Sequence, residues 1–245
     1  MLNDPNIQII PSFFLFAILF YTSLHSLRKY WKEFGNLDRQ TQIQFVSRAV
    51  SCVNALIVTL AAAYVLLTDE NLYKNKLIYR NQTLIIAYNL VFGYLFYDLL
   101  CMLWYRKELF DWQFVVHHLV SSIACFISTN YGYFAFIAAI RSLSEASTLF
   151  VNMRWFLLSL NMKNTQLYTI NGLVAFISFG LVRIVTLFPI WKTFFQFISH
   201  PQWSSIHFFY KFLCIGTSVP LDMLNIYWYY RICMIVSKTY KLKKI

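Results

Sequence analysis

The stretch LIIAYNLVFGYLFYDLLCMLW (84–104) is almost entirely apolar, and its one charged residue is Asp98. A helix needs about 20 mostly apolar residues to cross the hydrocarbon core of a bilayer, so this stretch can span a membrane. The composition agrees, because 59% of the residues are hydrophobic, only 13% are charged and the mean hydropathy is +0.53. Soluble domains carry about 25% charged residues. The sequence therefore excludes a soluble enzyme, a disordered chain and a disulfide-rich secreted domain, and predicts an all-α integral membrane protein.

Similar apolar stretches lie on both sides of this one, and together they predict seven transmembrane helices. The predicted helices cover residues 11–27, 46–68, 84–104, 112–129, 131–158, 166–189 and 206–232. The segment LDRQTQIQFVSR (37–48) leads into the second helix, and Asp38 is its predicted N-cap.

The basic residues predict the orientation of these helices. The first, third and fifth connections and the tail hold thirteen Lys and Arg residues, against four in the N-terminus and the other connections. Cytosolic loops carry such an excess, so we predict a luminal N-terminus and a cytosolic C-terminus. The net charge of +11 is explained by these loops, and we expect no nucleic-acid partner. The ending KLKKI (241–245) resembles a dilysine signal for retrieval to the endoplasmic reticulum; the alternative is an ordinary basic flanking tail.

Several ionisable residues lie inside the predicted helices. Such groups cost about 2.5–3.5 kcal/mol at the bilayer centre on insertion scales, so each is a functional hypothesis. Asp98 precedes the turn near residue 108 by ten residues and His118 follows it by ten, which places both roughly 10 Å below the cytosolic helix ends. The groups predicted to share one layer in the cytosolic half are Asp98, His117, His118, Glu145 and Asp222.

Helical spacing extends this layer into two polar stripes. Residues 141, 145, 148 and 152 share one helix face, as do residues 218, 222 and 225, and both faces should turn away from lipid. The predicted polar lining of an interior cavity is Arg141, Thr148, Asn152, Asp222 and Asn225. Arg141 and Glu145, one turn apart, are expected to neutralise each other. We expect Arg183, close to Pro189, to snorkel to the luminal interface.

The two rings of the pair His117-His118 cannot both face one ligand, since adjacent helical residues point about 100° apart. We expect one ring to line the cavity and the other to bond a neighbouring helix through Asp98. A carboxylate partner would make the imidazole a better general base, so the candidate catalytic residues are His117, His118, Glu145 and Asp98. A metal site is not predicted, because the motif HExxH is absent. The alternative is that these groups are only hydrogen-bonding links between helices.

The His pair, RSLSEASTLFVNMRWFL (141–157), NGLVAFISFGLVRI (171–184) and VPLDMLNIYW (219–228) together resemble the TLC-domain family. That family includes ceramide synthases and translocating-chain-associated membrane proteins. The resemblance implies a TLC domain over residues 40–235, after an N-terminal helix and connector (1–39) and before a basic tail (236–245). It implies a barrel of six helices around a lipid cavity, with one further N-terminal helix.

The resemblance also implies roles for individual residues. In ceramide synthases the His pair is catalytic and two acids follow on the next helix; Glu145 stands at the first position, whereas Thr148 stands at the second. We therefore predict a membrane protein of lipid homeostasis that binds an acyl lipid from the membrane, without a cofactor. The alternative is an acyltransferase that takes acyl-CoA as co-substrate. In that case Arg106, Lys107 and Arg154 would attract the CoA phosphates.

Overall fold

The structure is a computed structural model that describes residues 7–242 and the side chains of residues 7–238. Lys243 and Lys244, and the side chain of Lys241, which the retrieval-signal prediction invokes, lie outside the described residues. The long helices in the described range are α1 (Ile9–Tyr30), α2 (Arg39–Thr68), α3 (Gln82–Trp104), α4 (Trp112–Tyr131), α5 (Ala135–Ser142), α6 (Ala146–Ser159), α7 (Gln166–Phe179), α8 (Leu187–Ile198) and α9 (Phe208–Leu242). Short turns of helix at Lys32–Gly35, Glu70–Lys74, Arg106–Leu109 and Pro201–Trp203 lie in the connections. This confirms the all-α prediction.

Two pairs of these helices are continuous, which leaves seven long helical segments in the described chain. A 3₁₀ turn, Leu143–Glu145, joins α5 to α6, and a π-helical turn, Gly180–Val185, joins α7 to α8. The prediction that the sixth helix ends at 189 is wrong, because Pro189 lies in the first turn of α8, where proline is tolerated. The fifth segment begins at residue 135 rather than 131, because Gly132 adopts a φ of 66° and ends α4.

Polar residues at the helix starts set the observed boundaries. The Asp38 side chain accepts a hydrogen bond from the amide of Thr41 (3.0 Å), as the predicted N-cap of α2 should. Asn81, Asp111 and Thr165 cap α3, α4 and α7 in the same way. Because the cap begins α2 at residue 39, this helix is seven residues longer at its start than the apolar pattern alone predicts.

Four of the helical segments are long and apolar enough to cross a membrane. These are α1, α2, α3 and the continuous segment Gln166–Ile198. The other three long segments contain many of the polar side chains of the site described below. The structure thus supports a membrane protein, and the count of seven spans stays a prediction.

Six of the seven segments close into a ring. The contacts run from α3 to α2, from α2 to α5 and α6, from α6 to α7, from α7 and the π turn to α9, from α9 to α4, and from α4 back to α3. The remaining helix, α1, packs outside the ring against α3 and α2. This arrangement agrees with the barrel and additional helix that the family resemblance implies.

The two ends of the ring differ in composition. The connections 31–38, 105–111 and 160–165 lie at one end, which we call the basic end after the Lys and Arg residues used to predict orientation; it carries Lys32, Arg106, Lys107 and Lys163, together with Glu33, Asp38, Glu108 and Asp111. The opposite end is filled by an apolar cluster of buried side chains. This cluster contains Leu77, Ile127, Phe134, Ile137, Ile190, Phe194, Phe197, Ile206 and Cys214. Its burial closes the interior of the ring on the side away from the basic end.

Asp69 directly follows α2 and accepts two side-chain hydrogen bonds within the connection between α2 and α3. Its Oδ2 accepts hydrogen bonds from the Tyr79 hydroxyl (2.8 Å) and from Asn81 Nδ2 (2.6 Å). Burial by itself would raise the pKa of Asp69, but these hydrogen bonds hold the pKa below its ordinary value. The charged form of Asp69 therefore stabilises the fold.

This depressed pKa predicts an effect of pH on stability. The stabilisation is complete above the unfolded-state pKa of about 4 and is lost as pH falls through the lower folded-state value. We expect acidification from about pH 5 to pH 3 to lower the thermal unfolding midpoint of the wild type more than that of Asp69→Asn. Thermal unfolding in detergent would measure this. The neighbouring variant Glu70→Gln, with its exposed carboxylate, should follow the wild type; equal acid sensitivity of Asp69→Asn and wild type would contradict the assignment.

Candidate functional site

A cavity of about 190 Å³ lies inside the ring. Its apolar walls include Val58, Val91, Leu95, Leu187, Ile190 and Leu221, and its polar lining includes His117, His118, Arg141, Glu145, Thr148, Arg183 and Asn225. The lining begins at Phe114, in the first turn of α4 at the basic end, and reaches the apolar cluster at Ile190. A cavity lined by both polar groups and apolar walls suits an amphiphilic molecule.

His118 is held at both ring nitrogens. Its Nδ1 lies 2.7 Å from the carbonyl oxygen of Phe114, which can only accept, so Nδ1 carries a proton. Its Nε2 lies 3.0 Å from Oδ2 of Asp98 on α3, and both side chains are buried. The structure thus places His118 against the predicted partner on a neighbouring helix at ion-pair distance, although the angles of this contact are not those of a hydrogen bond.

Both rings of the pair line the cavity, and His117 is the one that lies nearer Glu145. Its Nε2 lies 3.9 Å from Oε1 of Glu145, which is beyond a direct hydrogen bond but close enough for electrostatic attraction. Its Nδ1 is buried and has no hydrogen-bond partner among the described residues. The ring also packs edge-on against Trp228 of α9, with centroids 5.8 Å apart. Asp98, His117, His118 and Glu145 therefore come together as predicted.

Arg183 is a central residue of the site, and the prediction that it snorkels is wrong. Its side chain is only 6% exposed. Its guanidinium donates to Ser147 Oγ (2.9 Å), Asn225 Oδ1 (3.0 Å), Thr148 Oγ1 (3.0 Å) and Glu145 Oε1 (3.3 Å). The π turn carries Arg183 on α7–α8 and the 3₁₀ turn carries Glu145 on α5–α6, so two irregular turns meet at this pair. Such π turns are frequent at functional sites.

Arg141 does not neutralise Glu145 as the sequence spacing suggested. Its Nη1 instead donates to Asp222 Oδ1 on α9 at 2.7 Å, with a second contact of 3.3 Å to Oδ2. The same Oδ2 accepts from the indole of Trp191 on α8 (2.8 Å). The 3₁₀ turn Leu143–Glu145 lies between the two residues, so the α-helical spacing that would bring Arg141 and Glu145 together does not hold there. Asp222 thus belongs to this second ion pair, with Arg141 and Trp191 as its partners.

The remaining predicted lining residues divide into two groups. Thr148 and Asn225 line the cavity and contact Arg183, whereas Asn152 and Asp222 do not line it. Asn152 faces α2, where its Oδ1 accepts from Arg48 Nη1 (3.0 Å). The Arg48 guanidinium also lies 4.8 Å from the Trp155 ring. The shared helix face of residues 141–152 therefore turns inward as predicted, but its lower end contacts another helix.

Sequence reasoning did not identify Trp228 and Gln113 as part of the site. The Trp228 indole donates to Gln113 Oε1 (2.6 Å), and its ring lies near Phe114, with centroids 5.7 Å apart. These contacts close the cavity between α9 and α4 near the basic end. Tryptophan near a helix end is typical of a membrane interface, so the position of Trp228 in the sequence did not indicate that it belongs to the site. Arg183 had a usable signal, because an arginine inside an apolar helix is a functional hypothesis by default.

The described residues contain no group of three or more His, Cys, Asp or Glu side chains arranged as metal ligands. The three buried or partly buried carboxylates are instead each matched to a cation or an imidazole: Asp98 to His118, Glu145 to Arg183, and Asp222 to Arg141. This arrangement offers hydrogen bonds and a balanced charge to a bound molecule.

Comparison with known proteins decides the family. The family model described as the TLC domain matches residues 44–234, which is most of the chain. The chain belongs to the TLC-domain family. It is 34% identical to TLC domain-containing protein 4-B of Danio rerio over 200 residues, which cover 81% of this chain and 76% of that protein. It is 29% identical to TLC domain-containing protein 4 of Homo sapiens over 223 residues, which cover 90% of this chain and 85% of that protein.

The similarity extends to distant organisms. TLC domain-containing protein 4 A of Dictyostelium discoideum is 25% identical over 223 residues, which cover 87% of this chain and 84% of that protein. These relatives confirm the predicted membership of the TLC-domain family. Within that family the sequence, including Ser47-Arg48 at the start of the second helix, predicts a likeness to TLC domain-containing protein 4, and the relatives confirm this as well.

Proposed function

We propose that this TLC-domain protein acts in lipid homeostasis by binding an acyl lipid inside its ring of helices. It would be a multi-pass protein of the endoplasmic reticulum with seven spans, a luminal N-terminus and a cytosolic C-terminus. The observation that carries the proposal is the cavity itself, in which His117, Glu145 and Arg183 form a polar cluster beside apolar walls. Such a cavity matches a molecule with one polar head and a hydrocarbon chain.

The protonation of His117 supports a binding role. Nδ1 is sealed from solvent, and none of the described residues lies within hydrogen-bond reach of it. Nδ1 is unsatisfied in either tautomer, but the carboxylate of Glu145, 3.9 Å from Nε2, attracts the proton to Nε2 and so favours that tautomer. This tautomer points a hydrogen-bond donor towards Glu145 and the cavity. A carbonyl or hydroxyl oxygen of a lipid head group would accept from it.

Acyl transfer from acyl-CoA is less well supported by the same geometry. A general base at Nε2 needs that atom unprotonated, which would place the proton on the sealed Nδ1. His118 is a poorer candidate, because its Nδ1 donates to the carbonyl of Phe114 and its Nε2 faces Asp98 at 3.0 Å rather than a substrate. Incubating purified protein with labelled acyl-CoA and lipid amines or alcohols tests this alternative, and transfer above that of His117→Ala would establish it.

The proposal predicts that His117 holds the bound lipid. We expect the native mass spectrum of the purified wild type to show a lipid adduct, and His117→Ala to retain about tenfold less. Loss of one hydrogen bond from a buried site corresponds to about 1–1.5 kcal/mol, which is close to tenfold in affinity.

The matched control for this experiment is His25→Ala, because His25 is exposed on α1 and lies outside the cavity lining. It should retain the wild-type amount of lipid. Equal adducts in all three proteins would show that the cavity does not hold the lipid, and a wild type without any adduct would count against lipid binding.

A further inference from the structure

We propose that the cavity selects lipids whose polar head group is uncharged, such as an alcohol, ester or amide, over carboxylates and amines. The inference rests on the lipid-binding function proposed above and adds the class of ligand. It comes from the way in which charges inside the ring are paired. The buried carboxylates of Asp98 and Asp222 and the partly buried carboxylate of Glu145 each have a partner of their own, and these pairs leave no net charge for a ligand to neutralise.

The first pair is Asp98 with His118. Because His118 Nδ1 donates to a backbone carbonyl, the contact of 3.0 Å between Nε2 and Asp98 is favourable only when one further proton is carried by the imidazole or by the carboxylate. Without it, a lone pair would face a carboxylate oxygen. With it, the pair is either imidazolium with carboxylate or imidazole with carboxylic acid, and its net charge is zero in both forms.

The other two pairs are Glu145 with Arg183 and Asp222 with Arg141. Arg183 contacts Glu145 at 3.3 Å and Arg141 contacts Asp222 at 2.7 Å, so each positive charge is balanced at short range. Arg48 is a further cation near this region, but it does not line the cavity. Its guanidinium lies against the side chains of Asn152 and Trp155.

A charged head group would disturb this balance. A carboxylate or an ammonium group would bring one uncompensated charge into a site between buried helices, where desolvation outweighs weak attraction to groups that are already paired. An uncharged oxygen can accept a hydrogen bond from His117 without that penalty. The neutral group therefore binds more tightly, although the lining contains arginine, glutamate and histidine.

The test uses three probes with the same hydrocarbon chain, namely hexadecanol, palmitate and hexadecylamine. The full chain is reconstituted in nanodiscs of phosphatidylcholine, and displacement of one labelled probe by the others gives relative affinities. We expect the wild type to bind hexadecanol at least tenfold more tightly than either charged probe. A wild type that binds palmitate or hexadecylamine as tightly as hexadecanol overturns the inference.

Charge-unbalancing variants sharpen the test. Glu145→Gln leaves Arg183 without its counter-charge, so the affinity for palmitate should rise at least tenfold relative to hexadecanol. Arg183→Gln leaves the negative charge of Glu145 unbalanced, so the affinity for hexadecylamine should rise at least tenfold relative to hexadecanol instead. The double variant is neutral again and should return to a preference for hexadecanol. The matched controls are Glu108→Gln and Arg39→Gln, which break an ion pair outside the cavity and should keep the wild-type preference.

The outcomes separate the two proposals. Binding of none of the three probes by the wild type refutes lipid binding itself, and the inference falls with it. Binding without a preference for hexadecanol, or preferences that do not follow the charge of the variants, refutes the inference alone. The wild-type ranking is decisive even if a single variant does not fold, because it needs no substitution.

Discussion

The variant Asp222→Leu is expected to lower the free energy of unfolding by about 3–5 kcal/mol, the usual cost of removing one partner of a buried ion pair. The loss leaves the guanidinium of Arg141 buried without a counter-charge and the indole N–H of Trp191 without its acceptor. Because Asp222 lies on α9, Arg141 on α5 and Trp191 on α8, the variant also releases three segments of the ring from one another. Equilibrium unfolding in mixed detergent and sodium dodecyl sulfate micelles would measure the change.

Two further variants test this explanation. Arg141→Met combined with Asp222→Leu removes both charges and should recover at least half of the lost stability, since apolar replacement of a whole buried pair is often neutral. Glu70→Leu removes one partner of the exposed pair Glu70–Lys74 and should change stability by no more than about 0.5 kcal/mol. If the double variant is as unstable as Asp222→Leu, the unpaired charge of Arg141 is not the cause.

Replacing Gly93 with leucine should separate α1 from the ring at a cost of about 3 kcal/mol, the upper end for overpacking a buried contact. A Cβ atom at Gly93 would lie 2.6 Å from Cβ of Ser12 and 2.7 Å from the carbonyl oxygen of Ile9. Neither neighbour can move aside easily, because one is backbone and the other donates a hydrogen bond to Leu90 (2.7 Å). Unfolding measurements and proteolysis in the connection 31–38 would detect the separation.

The control is Gly216→Leu on α9, where an added Cβ would meet no described atom within 4 Å. This exposed position should accept leucine without loss of stability. Detachment of α1 should also disturb the packing around the site. Phe16 of α1 packs on Tyr94, and the Tyr94 ring lies 6.1 Å from the ring of His118. Unchanged unfolding and proteolysis of Gly93→Leu would show that α1 is not held by this close approach.

The candidate site was partly predictable because polar residues in apolar helices point inward. This reasoning placed His117, His118, Asp98 and Glu145 together. The same reasoning did not predict the ion pairs, because the partner of each charged side chain depends on which helices are neighbours in the ring. Spacing along α5 and α6 joined Arg141 to Glu145, whereas the ring places Asp222 against Arg141 and Arg183 against Glu145.

The sequence by itself determined the membrane character, the all-α class, most helix starts and the inward orientation of the polar stripes. These follow from hydropathy, caps and the 3.6-residue period, all of which are local along the chain. Only the tertiary structure decided which ion pairs form and that Arg183 is buried in the site. It also showed that His118 lies against Asp98 while His117 lies nearer Glu145, and that both rings line the cavity. Those features depend on contacts between residues far apart in sequence, and on two irregular turns that the helical period does not encode.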